Sequence, residues 1–174
     1  MTRQLEAYHK ARELIGLKEI KGPVDDAAIV GMFAEVGHGW VKDDETAWCA
    51  AFVGAMLQRA GLPSTKKLNA RSYAEWGDEV PLGSAKAGDI VVFSRGAPNG
   101  WQGHVGFYVA HGNSTVTVLG GNQGNAVSEA PYKINRLLSV RRMAEASAAT
   151  PPTPSNIFAT LGKLIALLFG KAKP

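Results

Sequence analysis

Cys49 is the only thiol in the chain. It stands in TAWCAAFVGAML, a stretch with helical spacing, which places it at the first turn of a helix. A thiol there meets unpaired backbone amides and the positive end of the helix dipole, and both favour thiolate. The bland alternative is a buried small hydrophobe, the common fate of a free cysteine. The polar turn just before it, Asp43-Asp44-Glu45-Thr46, brings the nucleophilic reading level with the bland one. A cysteine nucleophile needs a base within hydrogen-bond reach. The four histidines are His9, His38, His104 and His111. His9 falls on an exposed helix face, His38 in a Gly-His-Gly loop and His111 in a hairpin turn. His104 opens a strand after the loop Arg95–Gly103, with small Gly106 close behind, so its ring can reach a partner helix. A third polar group should hold the imidazole by its other nitrogen. The segment LGGNQGN supplies Asn122, Gln123 and Asn125 at the end of the following strand. Asn122, three residues past Leu119, has the lead, and the other two compete for the role. Together these residues could carry out acyl transfer through a thioester.

The elements that must position them follow from periodicity. Leu5, Tyr8, Ala11, Arg12 and Ile15 recur at helical spacing up to Gly16, and Ile29, Met32, Phe33 and Val36 do so after Asp25-Asp26. A third helix, capped by Thr46, buries Phe52, Val53, Met56 and Leu57 and closes at Gly61-Leu62-Pro63. A shorter one spans Asn69 to Trp76. Then the period changes. DIVVFS (89–94), HVGFYVA (104–110) and TVTVL (115–119) have strand composition, and 126–130 and 138–142 are weaker strand candidates. His111-Gly112-Asn113-Ser114 joins two of them as a hairpin. Helices first and an antiparallel sheet of about five strands second is an α+β pattern.

Composition sets the limits. Hydrophobic residues make up 45% and charged residues 20% of 174, which is enough to build a single core and excludes wholesale disorder. The excess of 19 basic over 15 acidic residues gives +4, too little to argue for nucleic acid but suited to an anionic wall or membrane surface. One cysteine excludes an intramolecular disulfide and a CxxC metal site. Asp43, Asp44 and Glu45 lack the alternating spacing of a calcium loop and read as a capped, solvated turn, so no metal is assigned. Trp40 and Trp101, in Gly-rich loops, and Gln123 are assigned to a substrate groove, whereas Trp48 and Trp76 belong to the core. Asp89 anchors a turn.

The elements WCAAFV, AKAGDIVVFS, GHVGFYV, GGNQGN and SVRR, in that order over about residues 10–142, resemble the CHAP/NlpC-type superfamily of cysteine peptidoglycan hydrolases. The resemblance implies a papain-like α+β fold. In it Cys49 matches the nucleophile, His104 the base and Asn122 the third polar residue. Many relatives carry an acidic residue two positions before the last. Here that position is Gly120. The resemblance also implies cleavage of an amide of the wall peptide without a cofactor, by a monomer whose partner is bacterial peptidoglycan.

Residues 1–143 read as the catalytic unit, 144–156 (AEASAATPPTPSN) as a linker stiffened by prolines, and 157–174 as a short apolar helix with a basic end. Ile157, Leu161, Leu164, Ile165 and Leu168 share one face, which could meet a membrane surface over 157–170. The N-terminus lacks the apolar core of a secretory signal. The expected setting is therefore synthesis in the cytoplasm and action on the wall after release or injection, as for a phage-type endolysin. An injected amidase effector, a non-catalytic wall-binding module and a membrane-active module are the rival readings.

Overall fold

The computed structural model describes residues 1–144, a compact unit that ends at Ala144. The linker and tail expected over 144–174 fall, apart from Ala144, outside the described residues. α1 (Arg3–Glu13) begins where the Thr2 hydroxyl accepts the Leu5 amide. Its buried side is Gln4, Ala7, Tyr8 and Ala11, rotated from the face read in the sequence, and Ile15 lies past its end, half exposed. α2 (Ala27–Glu35) is capped by Asp26, whose carboxylate accepts the amides of Ala28 and Ile29. It buries Ile29, Met32 and Phe33, as its spacing predicts. α3 (Cys49–Arg59) is buried over its first nine residues, because α1, α2 and the sheet all pack on it.

The segment expected to be a helix from Asn69 is a 3-10 helix, Ala70–Glu75, with Asn69 accepting the Arg71 amide. Beyond it run β1 (Asp78–Glu79), β2 (Ile90–Ser94), β3 (Gly103–His111), β4 (Thr115–Gly120), β5 (Ser128–Lys133) and β6 (Leu137–Arg142). They form one antiparallel sheet in the order β1-β6-β2-β3-β4-β5. The sheet has six strands where five were expected. The extra one, β1, is a two-residue edge with no alternation to betray it. The fold class is the α+β, papain-like one.

Central β2 is buried on both faces. Ile90 and Val92 join the helix-side core with Val105, Phe107 and Leu119. Val91 and Phe93 join a second cluster with Tyr108, Val116, Val118 and Val140 on the opposite face. Phe52 ties α3 to the sheet through edge-on contacts with Trp48 and Phe107, at 6.2 and 6.4 Å between centroids. Such pairs contribute about 1 kcal/mol each beyond area burial. The β2–β6 pair is anchored at one end by Asp89, which accepts the Lys86 amide at 2.8 Å and pairs in bidentate fashion with Arg142 at 2.7 and 2.6 Å.

Candidate active site

α3 starts without a side-chain cap. Trp48 occupies the cap position and offers no acceptor to the helix amides. Thr46, expected to cap, instead binds Asp43: its amide and hydroxyl both donate to Asp43 Oδ1, at 2.7 and 2.8 Å. The first amides of α3, including that of Cys49, are therefore not taken up by a side-chain cap, and those of Cys49 and Ala50 face the Cys49 sulfur. Trp48 itself is wholly buried, with its indole N–H donating to Glu19 Oε1 at 2.7 Å. Glu19 is held in place by its neighbours. Asp44 Oδ2 accepts the amides of Ile20 (2.9 Å) and Asp26 (2.8 Å), while the Asp44 amide donates to Asp25. Asp44 is thus fully buried, not the solvated turn residue expected, because it stitches residues 19–26 to the approach to Cys49. Asp43 and Glu45 are exposed, and the Thr46 bonds hold the Asp43 carboxyl below its ordinary range. Among the described residues no group of three His, Cys, Asp or Glu side chains could hold a metal ion.

Cys49 is 6% exposed, and burial pushes its thiol up. The Val105 amide and the Arg95 guanidinium beside it pull the other way. Val105 follows His104, so β3 brings the start of its strand to the start of α3. His104 is fully buried. Its ring stacks on Tyr132, 4.7 Å between centroids and 5° from parallel. Its Nε2 lies 3.0 Å from Gln123 Oε1. The orientation of that amide is fixed, because Gln123 Nε2 donates to the carbonyls of Val118 and Ser128. Oε1 must then accept, so Nε2 of His104 carries the proton and Nδ1 has the lone pair. Nδ1 is buried and has no hydrogen-bond partner among the described residues. Burial first, then Arg95, lowers the His104 pKa from 6.5 to about 4, against the bond to Gln123.

The third position differs from the sequence expectation. Asn122 sits in the left-handed region (φ 57°), half-buried in the turn, and makes no side-chain hydrogen bond to His104. The side chain of Gln123, expected along the groove or as a competitor, is the one that reaches the ring. Gly120 makes this possible. A Cβ there would stand 3.0 Å from Gln123 Oε1 and 3.1 Å from His104 Nε2. The volume beside the ring that a side chain at position 120 would enter is filled here by Gln123 folding back from three residues on. Gly121 is equally constrained, because a Cβ would run into the Trp48 ring.

The other histidines are engaged elsewhere: His38 with the Lys66 carbonyl, His111 Nδ1 with the Tyr108 hydroxyl at 2.6 Å, and exposed His9 against Tyr8. Trp40 and Trp101 are 73% and 75% exposed, available as platforms. Trp48 and Trp76 are buried, as expected. Sequence reasoning missed Glu19, Tyr132 and Arg95. Glu19 and Tyr132 lie 29 and 28 residues from the groups they support, Trp48 and His104, so no local pattern announces them.

The CHAP domain family model matches residues 41–122, a span that contains Cys49 and His104 and stops one residue short of Gln123. No curated protein matches the sequence. Among solved structures, the chain is similar to a hypothetical invasion protein of Mycobacterium tuberculosis at 20% identity and a TM-score of 0.51, covering 82% of this chain and 62% of that one. It is similar to NlpC1 from Trichomonas vaginalis at 20% identity and 0.52, covering 80% and 43%. It is similar to the P60 domain of an M. avium subspecies paratuberculosis antigen at 13% identity and 0.51, covering 82% and 96%. The chain spans less than two thirds of the length of the first two. Residues 41–122 thus match the CHAP domain model, and the chain shares its fold with structures of the NlpC/P60 type.

Proposed function

We propose that the chain is a cysteine amidase or endopeptidase that cleaves an amide bond of peptidoglycan. The CHAP domain match and the NlpC/P60-like fold support peptidoglycan hydrolase activity. One observation carries the finer reading: a lone thiol at an uncapped helix start lies beside the strand whose histidine keeps an unpartnered Nδ1. The resting pair is neutral, because burial raises the thiol and lowers the imidazole. When substrate enters, the Cys49 proton passes to His104 Nδ1 as sulfur attacks the amide carbonyl. The oxyanion forms at the first amides of α3, Cys49 N–H among them. His104 returns the proton to the departing amine, leaving a thioester. Water, deprotonated by the same nitrogen, then releases the acid and restores the thiol. Gln123 keeps Nε2 protonated throughout and Nδ1 aimed at the reaction.

The setting we favour is phage-type lysis of a bacterium, supported by the net charge of +4 and the apolar, basic tail in the sequence. The deciding experiment is digestion of purified sacculi, with mass spectrometry of the new termini. Wild-type protein should release one class of amine and carboxyl terminus, and Cys49→Ser should release none. Equal release by Cys49→Ser would overturn the mechanism. No release by folded wild type would overturn the function in favour of a binding module.

A further inference from the structure

The loop between β2 and β3 contains an arginine that the fold itself leaves unused. Ser94 pairs with Gly103 in the last rung of that hairpin, and the Arg95 amide donates to the Gln102 carbonyl at 3.2 Å. Arg95 therefore leaves the sheet at the end where His104 begins. Two other arginines hold the loop by its carbonyls. Arg71 donates to Gln102 O at 2.8 Å, Pro98 O at 2.9 Å and Ala97 O at 3.4 Å, and Arg136 donates to Gly96 O at 2.6 Å. Arg95 is exposed and forms no ion pair among the described residues. Its guanidinium lies against the Tyr132 hydroxyl, and its charge reaches both Cys49 and His104.

That charge does little for the proton transfer between the pair. A cation favours thiolate but disfavours imidazolium, so the two effects on moving a proton from Cys49 to His104 oppose each other. What it does attract is a net negative group entering from solvent. Guanidinium binds carboxylate through two parallel hydrogen bonds, stronger and more directional than a neutral contact. We propose that Arg95 forms a carboxylate-binding subsite at the rim of the Cys49–His104 pair and selects peptide substrates with a free carboxylate beside the cleaved bond. The proposal rests on the hydrolase reading for its substrate, but the subsite can be tested without it.

The test has two arms. In the first, Cys49 is alkylated with iodoacetate or with iodoacetamide, and the rates are read from the intact mass. Sulfur displaces iodide in both cases and the thiol proton goes to solvent, so the reagents differ in reacting only by the carboxylate. Because Cys49 is the only cysteine, each adduct reports this sulfur alone. The iodoacetate-to-iodoacetamide rate ratio should fall about tenfold in Arg95→Gln and fall less in Arg95→Lys. An unchanged ratio in Arg95→Gln overturns the subsite. In the second arm, soluble wall fragments are compared before and after carbodiimide amidation of their carboxylates. Wild type should show a higher KM on the amidated material, with kcat less affected, and Arg95→Gln should treat the two alike. If Arg95→Gln discriminates as well as wild type, the substrate selectivity is wrong. Folded wild type that cleaves neither material overturns the hydrolase reading and with it the wall substrate, while the alkylation ratio still decides the carboxylate subsite.

Discussion

A buried imidazole held by an amide handles its proton differently from one held by a carboxylate. A carboxylate would stabilise imidazolium, whereas the Gln123 amide can only accept the Nε2 proton. With burial and Arg95 acting the same way, His104 stays neutral down to about pH 4. The neutral ring is the competent base, so activity should persist below the ordinary imidazole range and fail as pH falls through about 4. The acid limb of kcat/KM measures this, and a limb near 6.5 would contradict it. Gln123→Glu should move that limb upward. Gln123→Ala should lower kcat/KM by roughly ten- to a hundredfold while Asn122→Ala stays near wild type. A loss at Asn122 with Gln123 tolerant would return the role to Asn122. Stability carries the same sign. The unfolded ring titrates at 6.5 and the folded one at about 4. The unfolded state then binds more protons in that window, and stability drops as pH falls across it by on the order of 3 kcal/mol. Thermal unfolding of wild type against His104→Gln checks this, because the variant should lack that component.

Among the elements, α3 governs the candidate site because its first residue is the proposed nucleophile. Its start is fixed by packing rather than by a cap: Trp48 is gripped by Glu19 through its indole N–H and by the backbone of Gly121 against its ring. Glu19→Ala leaves that indole N–H unsatisfied and should cost about 1–3 kcal/mol. Gly121→Ala drives a methyl into the ring and should cost a similar amount. Denaturant melts measure both, and a Gly121→Ala protein as stable as wild type would show that the ring can yield. The sequence made much of this level legible. The buried faces of α2 and α3, the β3–β4 hairpin, and the placing of Cys49 at a helix start and of His104 at a strand start all follow from periodicity and residue type. Thr46 misled because a threonine before a helix ordinarily caps it, whereas here the cap position falls two residues later, on Trp48, and the Thr46 hydroxyl donates to Asp43. Asn122 misled because strand-end spacing says nothing of which neighbouring side chain folds back. Asp44 looked solvated because its partners, the Ile20 and Asp26 amides, are backbone groups 18 to 24 residues away.

At the scale of the whole molecule, the compact unit and the remaining 30 residues pose separate problems. The sequence of the tail, with an apolar face and terminal lysines after a proline-rich stretch, supports a role in reaching the wall or a membrane surface rather than in chemistry. Truncation after Ala149 should leave hydrolysis of isolated sacculi nearly unchanged. It should weaken lysis of intact cells or binding to anionic liposomes. Loss of activity on isolated sacculi would make the tail part of the catalytic unit instead.

The shared volume above Gly120 also constrains which mutational paths are open. An acidic side chain at 120 and the folded-back Gln123 compete for one space beside His104, so the two positions are epistatic. Gly120→Glu alone must displace the amide that already supports the ring, and Gln123→Ala alone leaves the ring unsupported. Only the double exchange restores a single occupant. The two arrangements are therefore separated by a valley of impaired intermediates. Gly120→Glu combined with Gln123→Ala should outperform either single variant in kcat/KM.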